Sequence, residues 1–463
     1  MSRIVMFVFN DCRTDARVLR ESASLAEAGH AVTIIARANR PAGVPDHEFI
    51  GAVEVHRVEV PTAWRFYWGW IVYPWRMRSW WAGRVRRAVR RLPAGAPELL
   101  IVLLAGLATL GWAILRAPFH LRVRNRPPTP GGSSIDFLVR WQWGVNGWAA
   151  RAALAAPPAD AYHGHDLTGL EAAGRAAQRH GQSPIVYDSH EIFVEAGSVA
   201  TRPRIVKWLL TRRERRWTRE AAALVTVNRA LAAELGRRLR PARTVVVHNC
   251  PPRWSAPDVE PDLIRTVASI PGEDRIALYH GGFSAHRGLE ELAAAVRRPG
   301  LERVHAVYLG YGAQRPMLDA LAADPGSEGR VHVLDAVPPD ELLPWVASAD
   351  VAVMAIQAST LNHRLSTPNK LFEAIAAGVP VVASDFPEMR SIVMDDPAGP
   401  LGAVCRPDSV ESIAAAIRTI VDLAPTERDA LRGRIRDAAR ERWNWETEVA
   451  RLVGLYADLA AGA

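Results

Sequence analysis

Short apolar runs alternate with helical patterns along most of the chain. The apolar run Ile4–Phe9 is followed by a polar turn, a helical pattern over Arg17–Ala28 and a second apolar run, Ala31–Ala36. Strand, helix and strand joined by short connections predict a parallel α/β sheet. The pattern breaks after Val60 and resumes near Asp160. Beyond that point it predicts strands at Ala161–His163, Pro184–Tyr187, Leu224–Val227 and Thr244–Val247.

A second α/β series begins after a connection rich in proline and charge. It predicts strands at Ile276–His280, His305–Leu309, Val331–Leu334, Val351–Ala355 and Val379–Ala383. We therefore expect a first Rossmann-like domain over 1–250, a linker over 251–271 and a second Rossmann-like domain over 272–440. An amphipathic pattern over Glu427–Leu459 predicts a last helix, with 441–463 crossing back to the first domain. Ligands of such sheets bind beyond the carboxyl ends of the strands, which here means the cleft between the domains.

One segment, 366–384, predicts both a short helix and a binding site. Thr367 is suited to cap the helix, Pro368 suits its first position, and Gly378 ends it. Lys370 and Glu373 fall one turn apart, opposite the apolar side. Lys370 and the free N–H groups of the helix start would bind a nucleotide diphosphate, and Glu373 the sugar hydroxyls. The alternative is a surface helix with an ion pair three residues apart.

The use of lysine favours the binding site. Of 57 Lys and Arg residues, lysine occurs only at Lys207 and Lys370. An ammonium group is a compact charge for a phosphate and lacks the planar fork of a guanidinium. A chain that otherwise uses arginine has kept a lysine at this position.

Composition bounds the remaining possibilities. A chain of 463 residues is long enough for two or three domains, and its three cysteines match no metal or disulfide spacing, so a reducing compartment fits. The first apolar run is too short for a signal peptide. There is no G-x-G-x-x-G fingerprint, no P-loop and no Asp-x-Asp pair in the sequence. A classical NAD enzyme is therefore disfavoured, and we expect neither a cofactor nor a metal.

The positive charge is concentrated in one insertion of the first domain, about 64–150. Residues 64–126 carry a net charge of +11 and the rest of the chain −3, which argues against a nucleic-acid-binding protein. Ten of the sixteen tryptophans lie in the insertion, and 99–115 is an uncharged, largely apolar run. Tryptophan with arginine is typical of a membrane interface that faces anionic lipid.

We predict that this insertion enters and leaves the membrane from one face. A single crossing would separate residues 1–63 from 127–463, although both supply strands to one sheet. The prediction is a monotopic or peripheral attachment to the cytoplasmic face of the cell membrane. The alternative is a soluble hydrophobic insertion that packs against the domain or a second subunit.

Taken together, the motifs resemble those of the GT-B glycosyltransferases of family 4, which transfer a sugar from a nucleotide sugar with retention. The resemblance covers roughly 1–60 and 160–460. Its marks are Asp15-Ala-Arg17, Gly29-His-Ala-Val-Thr33, His163-Gly-His165-Asp166, Tyr187-Asp-Ser-His-Glu191, Asn249, the loop from Gly281 to Gly288, Val333-Leu-Asp-Ala-Val337 and the block from Pro368 to Pro380.

The resemblance assigns roles on the donor side of the cleft. It implies that Glu373 binds the ribose and that Arg287 replaces a phosphate-binding lysine. Lys370 would bind the diphosphate together with the backbone of the segment Thr367, Pro368 and Asn369, whose N–H groups would face the ligand. Gly281 and Gly282 would let the backbone approach the donor, and the backbone between Asp335 and Val337 would read the base. With His165, the residues Glu373, Lys370 and Arg287 are the predicted catalytic set.

His165 takes the place of the family's cleft histidine, near the transferred sugar and the acceptor. Asp15, Asp166, His190 and Glu191 are further candidates for the acceptor side. Two departures from the family pattern stand out. Leu365 replaces the first acid of an E-x7-E pair, and Gly282 replaces an arginine. Asn362, His363 and Glu388 are therefore candidates for contacts to the donor sugar.

The predicted function is a retaining glycosyltransferase with a lipid-linked or glycolipid acceptor, of the kind used in cell-envelope polysaccharide or glycolipid synthesis. The resemblance suggests attack from the face that the phosphate leaves, with that phosphate taking the proton of the acceptor. The alternatives are a nucleotide-sugar epimerase on the same fold and a non-catalytic, membrane-bound GT-B scaffold. The sequence leaves the oligomeric state open.

Overall fold

An eight-stranded sheet forms the centre of the N-terminal domain. The computed structural model describes residues 1–61, 137–138, 140–255 and 262–462. The strand order is β3-β4-β2-β1-β5-β6-β7-β8, and the strands are parallel apart from β3, which pairs antiparallel with β4. The strands are β1 Arg3–Phe7, β2 Ala31–Arg37, β3 His47–Ile50, β4 Val53–Val58, β5 Ala161–His165, β6 Ile185–Ser189, β7 Ala223–Thr226 and β8 Thr244–Val246.

Helices cover both faces of this sheet. Successive residues of β1 point to opposite faces, so Ile4 and Met6 pack into one apolar layer and Val5 and Phe7 into the other. A π-helical segment, Trp141–Val145, leads into the second helix of the domain as we number them. The helices are α1 Ala16–Glu27, α2 Asn146–Ala155, α3 Asp166–Arg179, α4 Arg204–Glu220 and α5 Arg229–Leu239.

The C-terminal domain contains a six-stranded, fully parallel sheet in the order β11-β10-β9-β12-β13-β14. Its strands are β9 Arg275–Gly282, β10 Val304–Tyr311, β11 Val331–Asp335, β12 Val351–Met354, β13 Val381–Ser384 and β14 Gly402–Cys405. Its helices are α6 Leu263–Ala268, α7 Leu289–Ala295, α8 Arg315–Ala323, α9 Leu342–Ala347, α10 Leu361–Leu365, α11 Asn369–Ala376, α12 Pro387–Met394, α13 Val410–Val421 and α14 Pro425–Glu441.

The last helix, α15 (Trp445–Ala461), packs against the N-terminal domain. Trp445, Leu452 and Tyr456 lie in the same apolar layer as Ile4 and Met6. The indole Nε1 of Trp445 donates to Ser24 Oγ at 2.9 Å. The end of the chain therefore ties the two domains together.

The predicted fold class, two facing α/β domains with parallel sheets, is confirmed, but two local predictions differ from the structure. The segment predicted as an irregular linker contains α6, which buries Ile264 in the C-terminal core. The predicted helix Glu427–Leu459 is two helices, because Asn444 caps α15 by accepting from Thr447 N at 2.9 Å. The ribbon β3–β4 was not predicted.

Most of the predicted membrane-interacting insertion lies outside the described residues, including the run 99–115. Its last part is described: Trp141 and Trp148 are buried in the core, and Trp143 is exposed. None of the helices in the described parts of the chain is both long and apolar enough to cross a membrane.

Candidate active site

Glycines allow a close approach of the backbone at the carboxyl ends of β9 and β10. Gly281 has a φ of +103°, which disfavours any residue with a side chain. A Cβ at Gly310 would lie 2.0 Å from the Gly281 carbonyl oxygen. The exposed Gly282 follows. The exposed backbone at this edge therefore carries no side chain that would keep a ligand away.

Lys370 lies directly above this edge. A Cβ at Gly281 would be 3.7 Å from Lys370 Nζ, and the ammonium sits 3.5 Å from the centre of the Tyr279 ring. Burial lowers the pKa of Lys370 well below its usual value, and Arg287 lowers it further, while Glu373 acts in the opposite direction. An anion placed here would oppose both lowering effects, so the site favours a diphosphate over a neutral ligand.

The helix that carries Lys370 starts differently from the prediction. Pro368 is the N-cap residue and not the first helical residue, and no side chain caps the helix. Thr367 instead accepts a hydrogen bond from Asn228 Nδ2 at 3.3 Å. Within the described residues, the N–H groups of Asn369 and Lys370 have no acceptor. These two amides remain available for an anion.

Glu373 is held by a residue that the sequence reading missed. His280 Nε2 donates to Glu373 Oε2 at 3.0 Å, and His280 is buried in β9. The hydrogen bond fixes one carboxylate oxygen and leaves the other for a ligand. A polar residue inside an otherwise apolar strand, directly before the two glycines, was the available signal.

Of the other donor-side candidates, Arg287 lies close enough to this pair to lower the pKa of Lys370. Arg287 Nε lies 3.4 Å from Ser284 Oγ, on a loop that lines a cavity of about 230 Å³. Asp335 ends β11, is exposed, and pairs with Arg315 at 2.7 Å. The side chain of Val337 packs against the domain core. A role for Asp335 and Val337 in reading the base therefore rests on their backbone.

Four histidine and aspartate side chains meet at the carboxyl ends of β5 and β6. His165 Nδ1 lies 3.4 Å from Asp188 Oδ2 and 3.3 Å from His190 Nε2. His190 Nδ1 lies 3.8 Å from Asp166 Oδ2. The structure thus brings together three of the five predicted acceptor-side residues, His165, Asp166 and His190.

The surface of the cleft is formed by His190 and not by His165. His165 is only 1% exposed, whereas the His190 side chain is 22% exposed and lines an inter-domain cavity of about 430 Å³. Burial alone would lower the pKa of His190, but Asp166 and Asp188 raise it to about 10. At neutral pH the cleft therefore presents an imidazolium at this point.

Of the two remaining acceptor-side candidates, Asp15 lines the same cavity and Glu191 does not. Asp15 lines the cavity and caps α1, since it accepts from Val18 N at 3.3 Å and from Asn10 Nδ2 at 2.8 Å. Glu191 lies near the inter-domain contact, where Asn362 Nδ2 donates to Glu191 Oε2 at 3.4 Å.

The layer beneath these histidines is an ion-pair network. Glu21, His163, His165 and Asp188 are buried, with ligand-type atoms within 4.8 Å of one another, which is spacing that could suit a metal. However, Arg17 Nε lies 3.0 Å from Glu21 Oε1 and 2.8 Å from Asp188 Oδ2. The Arg17 guanidinium already pairs with both carboxylates, and burial raises the pKa of Glu21 well above its usual value, so little negative charge remains to hold a metal ion.

Two candidates for sugar contacts instead join the domains. Asn362 Oδ1 accepts from Ile192 N at 2.8 Å. Glu388 accepts from the backbone N–H groups of Arg229 at 3.2 Å and Ala230 at 2.9 Å. Leu365, which stands where the family has an acid, packs against the N-terminal core. The third candidate, His363, lies 2.7 Å from Ser359 Oγ.

Asparagines complete the contact between the domains. Asn228 Nδ2 donates to Leu365 O at 2.8 Å, and Asn249 Nδ2 donates to Asn369 Oδ1 at 2.8 Å. Asn369 is the first residue of α11, so the N-terminal domain directly contacts the start of the helix that carries Lys370 and Glu373.

Two facing Rossmann-like domains, with an open glycine edge on one side of the cleft and a histidine edge on the other, define the GT-B class of glycosyltransferases. Solved structures of this class are similar over the whole chain. Sucrose-phosphate synthase from Thermosynechococcus elongatus matches with a TM-score of 0.66 at 16% identity, covering 100% of both chains. Anabaena HepE in complex with UDP-glucose matches with a TM-score of 0.61 at 14% identity, covering 99% of this chain and 100% of HepE.

The sequence comparisons narrow the class. Residues 84–250 match the family described as glycosyl transferase 4-like domain, and residues 274–422 match the glycosyl transferases group 1. A D-inositol 3-phosphate glycosyltransferase from Xylanimonas cellulosilytica is 29% identical over 199 residues, which are 42% of this chain and 45% of that protein. The match therefore spans less than half of that relative. The chain belongs to the group 1 glycosyltransferases of the family 4 type.

Proposed function

We propose that this protein transfers a sugar from a nucleotide-diphosphate sugar, with retention, to a lipid-linked or glycolipid acceptor at the cytoplasmic face of the cell membrane. The observation that carries the donor part is the arrangement above Gly281. There the two free amides that begin α11, the Lys370 ammonium and the His280-oriented carboxylate of Glu373 occupy one side of a single helix.

This arrangement suits the departure of a nucleoside diphosphate from an anomeric carbon. Negative charge builds up on the leaving phosphate, and fixed amides and cations stabilise it where it develops. Lys370 and the two amides would supply that stabilisation, with Arg287 at the edge of the site. The solved complexes of HepE with UDP and UDP-glucose support a nucleotide-sugar donor. Retention rests on the family resemblance.

The lipid acceptor and the membrane location rest on the sequence. Residues 64–126 combine a net charge of +11 with clustered tryptophan and an uncharged apolar run. Arginine near an anionic leaflet and tryptophan at the interface both favour attachment to the membrane surface. The attachment would be peripheral or monotopic and would place a lipid-linked acceptor beside the histidine edge of the cleft.

The substitution Glu373→Gln tests the donor site. If Glu373 accepts hydrogen bonds from the ribose, the amide loses charge-assisted bonds worth about 1.5–3 kcal/mol. We expect the dissociation constant for the donor nucleotide, measured by calorimetry, to rise roughly ten- to a hundredfold. The melting temperature should change little, because Glu373 is partly exposed.

The matched control is Glu411→Gln, the same change at an exposed position of the same domain. It should leave nucleotide affinity unchanged. Normal nucleotide binding by the Glu373 variant would show that Glu373 does not bind the donor. Interconversion of nucleotide sugars without any acceptor would indicate an epimerase instead.

We also propose that transfer needs no metal ion. The diphosphate would meet Lys370, Arg287 and backbone amides, and Arg17 occupies the carboxylates nearest to the histidine edge. Transfer should therefore continue at its full rate after dialysis against EDTA. Loss of activity with the chelator and recovery with Mg²⁺ or Mn²⁺ would contradict this account of the phosphate site.

A further inference from the structure

The outward face of α4 carries large apolar side chains in water. At about 100° per residue, Ile205, Trp208 and Leu209 fall on one side of this helix, opposite the buried Val206 and Leu210. The relative exposures of Ile205, Trp208 and Leu209 are 61%, 55% and 43%. Three exposed apolar side chains on adjacent turns form a patch, and patches of this kind mark contact surfaces.

Arginines continue the same face toward the end of the helix. Arg212, Arg215, Arg216 and Arg219 follow the apolar residues, and the Arg212 guanidinium lies 5.8 Å from the centre of the Trp208 ring. Glu220 lies 3.7 Å from Arg216. In the portion of the chain described by the structure, no carboxylate pairs with the other three. We call these seven residues, Ile205, Trp208, Leu209, Arg212, Arg215, Arg216 and Arg219, the α4 face.

The charges of the α4 face are crowded rather than balanced. Partial burial, followed by the like charges of Arg240 and Arg219, lowers the pKa of Arg215. An open cleft of about 1220 Å³ runs beside the helix and is lined by Trp208 and by all four arginines. Because these arginines lie close together and few acidic side chains balance them, the surface attracts negatively charged groups.

Chain topology places the apolar end of the α4 face near the active-site cleft. The helix follows β6, whose carboxyl end carries Asp188 and leads to His190 at the cleft. In a parallel sheet the helix after a strand starts on the side of the carboxyl ends. Ile205, Trp208 and Leu209 therefore lie on the cleft side of α4, and the arginines lie farther away.

We propose that the α4 face docks the N-terminal domain onto an anionic lipid bilayer. Tryptophan, leucine and isoleucine enter the interface of such a bilayer, while arginine contacts its phosphate groups. A soluble polyanion would pair with the arginines but leave Ile205 and Leu209 in water. The proposal rests on the proposed function, since it presents the acceptor side of the cleft to a membrane that holds a lipid-linked acceptor.

The test is binding of the full chain to vesicles, measured by co-sedimentation. One variant removes the apolar residues (Ile205→Asn, Trp208→Gln, Leu209→Gln), and another removes charge (Arg212→Gln, Arg216→Gln, Arg219→Gln). Each should reduce affinity for vesicles of phosphatidylglycerol and phosphatidylcholine by about tenfold or more. Replacing the same arginines by lysine should keep most of the binding, and high salt should weaken binding of the wild type.

The matched control makes comparable changes on the other domain: Val267→Asn with Arg298→Gln and Arg303→Gln, all at exposed positions. This control should bind vesicles like the wild type. Nucleotide affinity should be unchanged in every variant, which shows that the fold is intact. It also separates a failure of this proposal from a failure of the donor site.

Three results would overturn the proposal. The first is a wild type that does not bind anionic vesicles. The second is normal vesicle binding by both α4 variants, which would leave attachment to other parts of the chain and the proposed function intact. The third is loss of binding in the charge variant alone, together with salt-sensitive binding of the wild type to single-stranded DNA, which would indicate a polyanion surface.

Discussion

At the scale of single residues, His190 has a strongly shifted pKa at the surface of the cleft. Its imidazole lies between Asp188, at 3.3 Å, and Asp166, at 3.8 Å, and its pKa is raised from 6.5 to about 10. A raised pKa in the folded state means that the folded protein binds the proton more tightly than the unfolded chain does. The resulting stabilisation is complete below pH 6.5 and is lost as the pH rises toward 10.

We therefore expect the melting temperature to fall between pH 7 and pH 10, because the unfolded chain has already released the His190 proton in this range. In His190→Gln this part of the pH dependence should be flatter. His286→Gln, a substitution at an exposed histidine, should keep the slope of the wild type. Equal slopes in the wild type and the His190 variant, measured by calorimetry, would show that the two aspartates do not hold a proton there.

The sequence could predict a contact between two site residues only where the two residues lie close together in the chain. Lys370 and Glu373 share one helix, so helical periodicity alone placed them together. His280 contacts Glu373 across 93 positions, and Asn228 contacts Thr367 across 139, and no local pattern reports such pairs. The burial of His165 behind His190 also follows from the packing of two strands.

At the scale of elements, predictions held where a local signal fixes an end. Gly378 ends α11 with a φ of +72°, a conformation that favours glycine, and the sequence predicted this stop. The break between α14 and α15 was missed, because both helices bury apolar residues and the amphipathic pattern runs through them. Asn444, a good capping residue between Trp443 and Trp445, was the only local sign.

At the scale of the whole molecule, the two domains are held in contact by side chains that cap or bond backbone groups of the other domain. Glu388 is the clearest case, since it accepts from two N–H groups at the start of α5. The positive end of that helix favours the carboxylate. This contact therefore helps to fix the position of the two domains relative to each other.

We expect Glu388→Ala to loosen this arrangement of the two domains. Loss of a helix cap costs about 0.5–2 kcal/mol, and donor binding would have to supply that energy. The donor dissociation constant should rise about two- to thirtyfold, and the radius of gyration of the free protein, measured by X-ray scattering, should increase. Glu411→Ala removes an acid without touching the other domain and should change neither quantity. Unchanged scattering with unchanged affinity would mean that Glu388 does not hold the domains together.

The hydrogen bond between Asn249 and Asn369 has a consequence for the regulation of this molecule. Asn369 begins the helix to which we assign the diphosphate, and Asn249 belongs to the other domain. Donor occupancy and domain arrangement are then linked reciprocally: the factor by which one arrangement tightens donor binding equals the factor by which the donor favours that arrangement. A bilayer that restrains the N-terminal domain would thereby act as an effector of donor affinity from a distance, without any contact with the nucleotide.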